Sequence, residues 1–420
     1  MKLKIVTCVL IVIFSQSCSF TRPMLYWWPN ISDHKIFHHT EMTPGNKRFQ
    51  FTEGDEDEYG SYTVNMRTGY ETDTTILLDE YLRATKTTAF LVIRNDSILF
   101  EKYYNGYTRD SISKNFSISK SITSLLAGIA VDEGYIESVH DPVTKYVPEL
   151  KKKNPKFERL TIEHLLNMRA GFKFNEDNLI PLSRATNLYY GSNHLRLLKR
   201  AKFKHEPGEA YEYQSLVTSL LGVVVERATE RNLSEYLQEK IWKPLGMENR
   251  ATWDIDSKRH HSNKAHTGVN ATAIDLAKIG RLYLNNGSWN GKQIISAGWI
   301  AKSATCHTNG EGYQYQWWAL PIRLVSSNKN GISHFTDSLS TQKFLTEKFP
   351  DSKYYTISKI EGDQERWGVN MYHPNLYFAE GILDQLMFVN PTKNMIVIRL
   401  GEDDKKKYKQ IIYSLIDESL

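Results

Sequence analysis

The chain has 420 residues, of which 24% are charged and 12% aromatic, and its formal net charge is +5. This composition excludes the disordered and fibrous classes, and the length suffices for two or three domains or for one domain with a second lobe. The basic residues are scattered apart from short runs at 151–153 and 405–407, which are typical of a solvated surface. We therefore expect no nucleic-acid partner.

The N-terminus has the layout of a secretory signal peptide, because two lysines precede an apolar run over residues 5–14. The run is shorter than the roughly 20 residues that a membrane-spanning helix needs. Cys18 lies at a position similar to the cleavage site of bacterial lipoproteins, although Ser15 replaces the usual leucine. We expect residues 1–18 to be a signal peptide and the protein to be exported to the periplasm or cell surface. Two outcomes stay open: a lipid anchor at Cys18, which would be its one link to a membrane, and plain secretion.

The chain has three cysteines, and two of them, Cys8 and Cys18, lie within residues 1–18. Cys306 is alone in the rest of the chain, so no internal disulfide is expected in the mature chain.

Residues 19–75 are first aromatic and then polar and acidic, and we interpret them as a tether followed by a surface extension. Residues 76–420 are expected to form the main domain. Its first predicted elements are two strands within residues 89–104, joined by a turn at Asn95 and Asp96.

Residues 116–134 carry apolar side chains at helical spacing and predict an amphipathic helix that packs on a core. Gly134 would end this helix, and Ser117 lies at its start, where the hydroxyl could cap free backbone N–H groups. Lys120 follows one turn later, so its ammonium group could lie beside that hydroxyl. A serine and a lysine at a helix N-terminus are a nucleophile with a base. The helix dipole there also favours the negative charge that develops during acyl transfer.

The spacing alone is a weak signal, because Ser-x-x-Lys begins at five serines of this sequence. Ser117 is the one of the five that opens a long amphipathic helix. The alternative interpretation is a helix-capping serine beside a solvated lysine.

The centre of the chain, from about residue 135 to 300, is predicted to be a mainly helical lobe. Capping residues precede three of its predicted helices, at Thr161, Asn232 and Thr272, and a further helix is predicted at 215–229.

The last part of the chain turns to strands at 313–320, 376–382 and 386–401, and it ends in an amphipathic helix. Residues 325–366 are polar and long for a loop, so we interpret them as an insertion. Strands at both ends with helices between them predict an α/β (α+β) domain. In this domain a helical lobe interrupts a central antiparallel sheet that is flanked by helices.

Several stretches carry a resemblance to a known family: FSISKSITSLLAGIAVDEGYI, LTIEHLLNMRAGF, PGEAYEYQSLVTSLLGVVVERAT, NATAIDLAKIGRLYLNNGSWNGKQIIS and YFAEGILDQLMFVNPTKNMIVIRLG. In this order, over about residues 85–410, they resemble the motif regions of the serine β-lactamase and penicillin-binding-protein superfamily. The class C-like branch, with its esterases, D-amino-peptidases and 6-aminohexanoate-dimer hydrolases, is the most similar. The resemblance implies a β-lactamase/transpeptidase-like fold and a serine hydrolase.

Carried over position by position, the resemblance implies that Ser117 is the acylated nucleophile and Lys120 the base that takes its proton. Tyr213 resembles the tyrosine that relays the proton to the leaving group, and Ser215 stands where many members carry asparagine. The backbone N–H groups of Ser117 and Ile382 would form the oxyanion hole. This chemistry needs no cofactor, and no metal-ligand spacing is present in the sequence.

After Ser-x-x-Lys and the Tyr213 motif, the third motif of the family is usually Lys- or His-x-Gly. This chain departs from it, because the matching residues are Ala379-Glu380-Gly381. The cation that would hold a substrate carboxylate is absent and Glu380 brings an acid, whereas Gly381 still permits close backbone approach. Asp384 stands where close relatives often carry glycine.

His266 and Trp317 are expected either to line the cleft or to pack in the core. The chain is thus predicted to cleave an ester, a small amide or a peptide. The alternative is a penicillin-binding or ligand-sensing module on the same fold with little turnover.

Overall fold

The computed structural model describes residues 26, 28–54, 57–68, 71–178, 180, 183–304, 312–325, 355–360, 366–402, 411, 412 and 415. The predicted signal peptide with Cys18, Cys306 and most of the insertion predicted at 325–366 lie outside the described residues. No helix in the described part of the chain is long and apolar enough to cross a membrane.

The α-helices of the described residues are α1 (Asp57–Gly60), α2 (Leu78–Ala84), α3 (Ile118–Asp132), α4 (Ile162–Leu166), α5 (Arg184–Tyr190), α6 (His194–Leu198), α7 (Ser215–Thr229), α8 (Leu233–Leu237), α9 (Ala273–Leu284) and α10 (Ala297–Ala304). Short 3-10 helices occur at Asp33–Lys35, Val143–Lys145, Pro148–Leu150 and Pro155–Glu158, and a π-helix at Gln238–Trp242 continues α8.

The strands of the same residues are β1 (His39–Met42), β2 (Thr52–Glu53), β3 (Thr63–Thr68), β4 (Glu71–Leu77), β5 (Thr87–Arg94), β6 (Ser97–Tyr103), β7 (Ser113–Lys114), β8 (Ala251–Asp254), β9 (Val269–Ala271), β10 (Ser288–Trp289), β11 (Lys292–Gln293), β12 (Tyr313–Gln314), β13 (Trp317–Val325), β14 (Tyr355–Ile360), β15 (Arg366–Gly381), β16 (Gln385–Asn390) and β17 (Met395–Gly401).

The main sheet of the described residues has the order β12-β13-β15-β16-β17-β5-β6-β2, and β14 also pairs with β15. All of these pairs are antiparallel except β2 with β6. Asn95 and Asp96 join β5 to β6 with φ angles of 53° and 61°, a left-handed conformation that these two residue types tolerate. The predicted turn between these strands is therefore confirmed, and so is the central antiparallel sheet.

The sheet separates two hydrophobic cores, and β5 supplies both of them. Leu91 and Ile93 pack into the core shared with α3, α7 and α9, whereas Phe90 and Val92 pack into the core on the opposite face. Successive side chains of a strand point to opposite faces, so a strand covered on both sides is apolar throughout.

Helix α3 differs from its predicted amphipathic form, because it is buried on every side from Ile118 to Ala130. It lies between the helical lobe and the sheet, in contact with α7 and with β15. Gly128 allows α10 to approach, since a Cβ there would lie 2.6 Å from the ring of Trp299. The polar residues of α3 are therefore enclosed by protein and need partners within it.

The prediction of a surface extension is wrong for the stretch between residues 29 and 53. Strand β1 pairs with β8 and β2 pairs with β6, so this stretch is hydrogen-bonded into two sheets. Ile31, Phe37, Met42 and Phe51 are buried, and each such side chain contributes roughly 1.5–3 kcal/mol to folding.

The predicted helix starts in the lobe are largely confirmed. The Thr161 side chain accepts from the N–H of His164, and Asn232 forms a capping box with Glu235. Helix α7 spans residues 215–229 as predicted, so its first turn directly follows Tyr213. The lobe thereby brings Tyr213 to the same side as the start of α3 and the end of β15.

Candidate active site

The chain takes a strained path into α3. Phe116 has a φ angle of 47°, an uncommon conformation for a bulky residue. The preceding Asn115 donates its N–H to the carbonyl of Val269 at 3.1 Å, which anchors the turn to β9. The predicted capping by the Ser117 hydroxyl is wrong: the residue has helical dihedral angles, and its side chain makes no capping bond. The Ser117 Oγ instead accepts a hydrogen bond from Lys120 Nζ at 2.7 Å.

Lys120 is buried, and no carboxylate of the described residues forms an ion pair with it. Its Nζ donates to the Ser117 Oγ and, at 3.1 Å, to the backbone carbonyl of His266. The ammonium group also lies 5.0 Å from the ring centroid of Tyr213. Burial lowers the pKa of Lys120 to about 8, and the charge of Glu176 offsets part of this effect. Near neutral pH a fraction of this lysine is therefore uncharged and able to accept a proton.

Tyr213 completes the arrangement around the serine. It lines the same cavity as Ser117, whose side chain is among the groups that act on the Tyr213 hydroxyl, and burial raises the pKa of that hydroxyl well above the ordinary value. Its ring packs on Trp318 with a centroid distance of 5.5 Å and meets Tyr313 edge-on. The phenol therefore stays protonated and is held in place, which suits a group that passes a proton onward.

Glu176 is a residue of this site that the sequence did not indicate. One carboxylate oxygen accepts from the Ser215 N–H at 2.7 Å, and the other accepts from the Ser215 hydroxyl. The Glu176 carboxylate thus lies at the N-terminus of α7, where a negative charge is favoured. It lies in an irregular segment far from Ser215 in the sequence, so no spacing rule could have found it.

The end of β15 lies against the start of α3 because residue 381 is glycine. A Cβ at Gly381 would come within 2.7 Å of the Asn115 carbonyl oxygen and 3.1 Å of the Ser117 nitrogen. No other residue type fits there without moving one of these segments. The close approach brings Ile382 beside Ser117, and both residues line the two cavities that flank the serine.

The two cavities differ in chemistry. One, of about 300 Å³, is mainly apolar and is lined by Phe116, Phe174, Leu188, His266 and Ile382, among others. Trp28, Glu176 and Asp177 line both cavities, and the other, of about 360 Å³, adds the aromatic and acidic side chains of Tyr213, Trp318, Glu380 and Asp384. The charge of Glu380 is among the causes that raise the pKa of Tyr213, so this carboxylate acts on the centre of the site.

Trp317 does not line the cleft. It is fully buried in the core, where its indole N–H donates to the Tyr283 hydroxyl at 2.9 Å. Trp318, the next residue of β13, faces Tyr213 instead. Neighbouring strand residues point to opposite faces of the sheet. The side chain of Trp317 therefore lies in the core, and that of Trp318 lies in the cleft.

His266 lines the apolar cavity and also supports the site from behind. Its ring Nδ1 is hydrogen-bonded to the Ser219 hydroxyl at 2.9 Å, and its carbonyl binds Lys120. Burial lowers the pKa of His266 well below its ordinary value, so the ring is neutral. Within the described residues, no group of three or more His, Cys, Asp and Glu side chains is arranged to hold a metal ion.

The chain is similar in sequence to a known protein family and to several curated proteins. The model of the family described as Beta-lactamase matches residues 77–416. The chain is 31% identical over 239 residues to the 6-aminohexanoate-dimer hydrolase of Paenarthrobacter ureafaciens, covering 53% of this chain and 58% of the relative. It is 26% identical over 186 residues to the protein flp of Staphylococcus aureus strain N315, covering 41% of this chain and 36% of the relative. The matches thus span about a third to three fifths of the length of these curated relatives.

Solved structures show the same fold. A structure from Bacillus anthracis has a TM-score of 0.71 at 21% identity and covers 92% of each chain. EstCE1, described as a hydrolase with promiscuous acyltransferase activity, has a TM-score of 0.57 at 14% identity and covers 80% of this chain and 96% of its own. The D-alanine carboxypeptidase AmpC of Burkholderia cenocepacia has a TM-score of 0.52 at 16% identity, with coverages of 81% and 96%.

Proposed function

Because the chain belongs to the beta-lactamase family, we propose that it is a serine hydrolase that cleaves an ester or a small amide through an acyl-enzyme on Ser117. One observation carries this proposal. A buried lysine, whose pKa burial lowers to about 8, lies 2.7 Å from the serine hydroxyl. A serine hydroxyl is a weak nucleophile until an adjacent base takes its proton, and Lys120 is placed to do so.

In the first half of the proposed reaction, the Ser117 Oγ attacks the substrate carbonyl carbon while uncharged Lys120 takes the hydroxyl proton. The negative charge moves to the carbonyl oxygen, where the backbone N–H groups of Ser117 and Ile382 would stabilise it. The N-terminus of α3 points its dipole at the same place. Donors fixed in a buried site do not reorganise during the reaction, which gives such a site most of its catalytic effect.

In the second half, the proton passes from Lys120 through the Tyr213 hydroxyl to the leaving oxygen or nitrogen, and the bond to the carbonyl carbon breaks. Water then attacks the acyl-enzyme and gives up a proton to the same network, which releases the acid and restores the serine. The raised pKa of Tyr213 supports this role, because the tyrosine exchanges a proton without staying ionised.

The charges of the acidic cavity favour substrates without a carboxylate beside the reacting carbonyl. The family resemblance implies a cation at the position of Glu380, and Glu176, Asp177 and Asp384 line the same cavity as Glu380. An anionic substrate group there would meet like charges at close range, which is unfavourable in a partly buried site. This supports ester or small-amide substrates over β-lactams. The relative named as a hydrolase of the 6-aminohexanoate dimer supports an amide.

The test is hydrolysis of a neutral short-chain p-nitrophenyl ester by purified protein. We expect multiple turnovers by the wild type and none above background for Ser117→Ala. Ser111→Ala is the matched control, because Ser111 begins a second Ser-x-x-Lys sequence and its hydroxyl bonds only within its own turn. Activity retained in Ser117→Ala would contradict the proposal.

The altered third motif also favours a second candidate, a ligand-sensing module with little turnover. That function predicts one equivalent of released p-nitrophenol and a stable adduct on Ser117 instead of continued hydrolysis. Intact-mass analysis during the ester assay separates the two functions, since a sensor accumulates the acyl-enzyme and a hydrolase passes through it.

A further inference from the structure

A second cavity lies away from the catalytic serine, at the other end of α7. Ser215 begins this helix at the catalytic cleft, whereas Glu226 and Arg227 near its C-terminal end line a cavity of about 580 Å³. Ser215 and Glu226 are eleven residues apart, which corresponds to about 17 Å along a helix. The second cavity shares no lining residue with the two cavities that flank Ser117.

Positive side chains from three separate segments surround this cavity. They are Lys153, Arg196, Lys199, Arg200 and Arg227. These residues come from the loop after residue 150, from α6 with the residues that follow it, and from α7. Their convergence is therefore a product of the fold and not of one basic run in the sequence. His260 and His261 add two further nitrogen-bearing rings.

Few carboxylates balance these cations. Lys199 and Arg227 share Glu149, at 3.6 and 3.4 Å. Lys153, Arg196 and Arg200 have no ion-pair partner among the residues that the structure describes. Like charges that surround one cavity repel each other, and the cavity focuses their field on its interior.

The two acids at the cavity are engaged with backbone groups. Asp256 accepts from the N–H groups of Ser257, Ser262 and His194, at 2.6, 3.2 and 3.3 Å. Glu226 accepts from the backbone N–H of Asn263 at 3.2 Å, and burial raises its pKa to about 7. Both acids hold the surrounding loops, and the interior keeps a net positive charge.

We infer that this cavity binds a small organic polyanion that carries at least two phosphate or carboxylate groups. The planar guanidinium groups of Arg196 and Arg200 offer paired N–H donors that match either group in a two-point contact. The volume lies in the range of cavities that enclose a small ligand. Two anionic groups are expected because unpaired cations enter the cavity from both α6 and the loop after residue 150.

The experiment is isothermal titration of the full chain with inorganic triphosphate and, separately, with citrate. We expect saturable binding of at least one probe, and the stronger of the two identifies phosphate or carboxylate as the preferred group. Arg196→Gln/Arg200→Gln should weaken that binding about tenfold, because each variant site loses a charge-assisted hydrogen-bond donor. Both arginines are exposed, so this variant is expected to fold.

The matched control is Lys35→Gln/Lys292→Gln, which removes the same charge from exposed positions outside the cavity and should bind within about twofold of wild type. Ser117→Ala should bind as wild type does, which separates this site from the catalytic one. Absence of saturable binding at millimolar probe overturns the inference. Equal weakening in both double variants also overturns it, because bulk charge would then explain the binding.

Discussion

Lys114 and Lys120 lie six residues apart, each is the last residue of a Ser-x-x-Lys sequence, and both are buried. Their surroundings nevertheless differ. Lys114 forms an ion pair with Asp254, and both side chains are fully buried. Lys120 instead meets a serine hydroxyl, a backbone carbonyl and the ring of Tyr213.

The difference shows that burial alone does not prepare a lysine to act as a base. A buried ammonium beside a carboxylate is kept as an ion pair, whereas one among neutral dipoles loses much of the stabilisation of its charge. Burial accordingly lowers the pKa of Lys120 to about 8. The same four-residue pattern thus gives a structural cation at one position and a candidate base at the other.

The largest expected effect is on catalysis at Lys120. Lys120→Met removes the proposed base while keeping a long side chain, and kcat/KM for a neutral ester should fall about 10³-fold. Ester hydrolysis at equal folded concentration measures this, with near-ultraviolet circular dichroism as the check on folding. A decrease of less than tenfold would mean that another group takes the serine proton.

Lys114→Met should act on stability instead. It leaves the buried Asp254 carboxylate with one hydrogen bond from Asn270 but no cation, so the free energy of unfolding should fall by about 3–5 kcal/mol. Urea unfolding measures the loss, and the folded fraction should keep its kcat/KM. Lys114→Met/Asp254→Asn, which removes both charges, should recover part of the stability. The comparison fails if Lys114→Met lowers catalysis as much as Lys120→Met does.

The pH dependence of kcat/KM follows from the lowered pKa of Lys120, which is about 8. The base works in its uncharged form, so kcat/KM should rise about tenfold per pH unit below this value and level off above it. Initial rates between pH 5.5 and 9.5 with a neutral ester trace the acidic limb. A profile that is flat from pH 6 to 9 would contradict an active lysine base.

The smallest expected effect is a shift in the pH dependence of kcat/KM in Glu176→Gln. Glu176 is the carboxylate whose charge raises the pKa of Lys120, against the larger effect of burial. Glu176→Gln keeps an acceptor for the Ser215 N–H, and its amide N–H can donate to the Ser215 hydroxyl. The substitution removes the charge, so the acidic limb should move to lower pH. An unchanged limb, in the same pH series, would show that this carboxylate does not act on the lysine.

The parts of the site that are local in sequence were predictable. Ser117 and Lys120 share one helical turn, and a turn fixes their distance whatever surrounds it. Glu176 and Trp318 were missed because their places depend on contacts across the fold. A loop folds back to the first turn of α7 in one case, and the side-chain alternation of β13 decides the other.

The fold shows the same division. The turn at Asn95 and Asp96 and the cap at Thr161 are short-range signals and were predicted correctly. The pairing of β1 with β8 joins strands about two hundred residues apart, and nothing in the polar N-terminal sequence indicates it. The full burial of α3 likewise depends on the lobe and the sheet closing around it.

Labelling by a fluorophosphonate, with mass-spectrometric mapping of the modified residue, tests the contrast between the two lysines most directly. The account predicts label on Ser117 in the wild type and in Lys114→Met, and none in Lys120→Met. Label on Ser111, or equal labelling of Ser117 in both lysine variants, would contradict it, because activation of the serine would then not depend on the unpaired lysine.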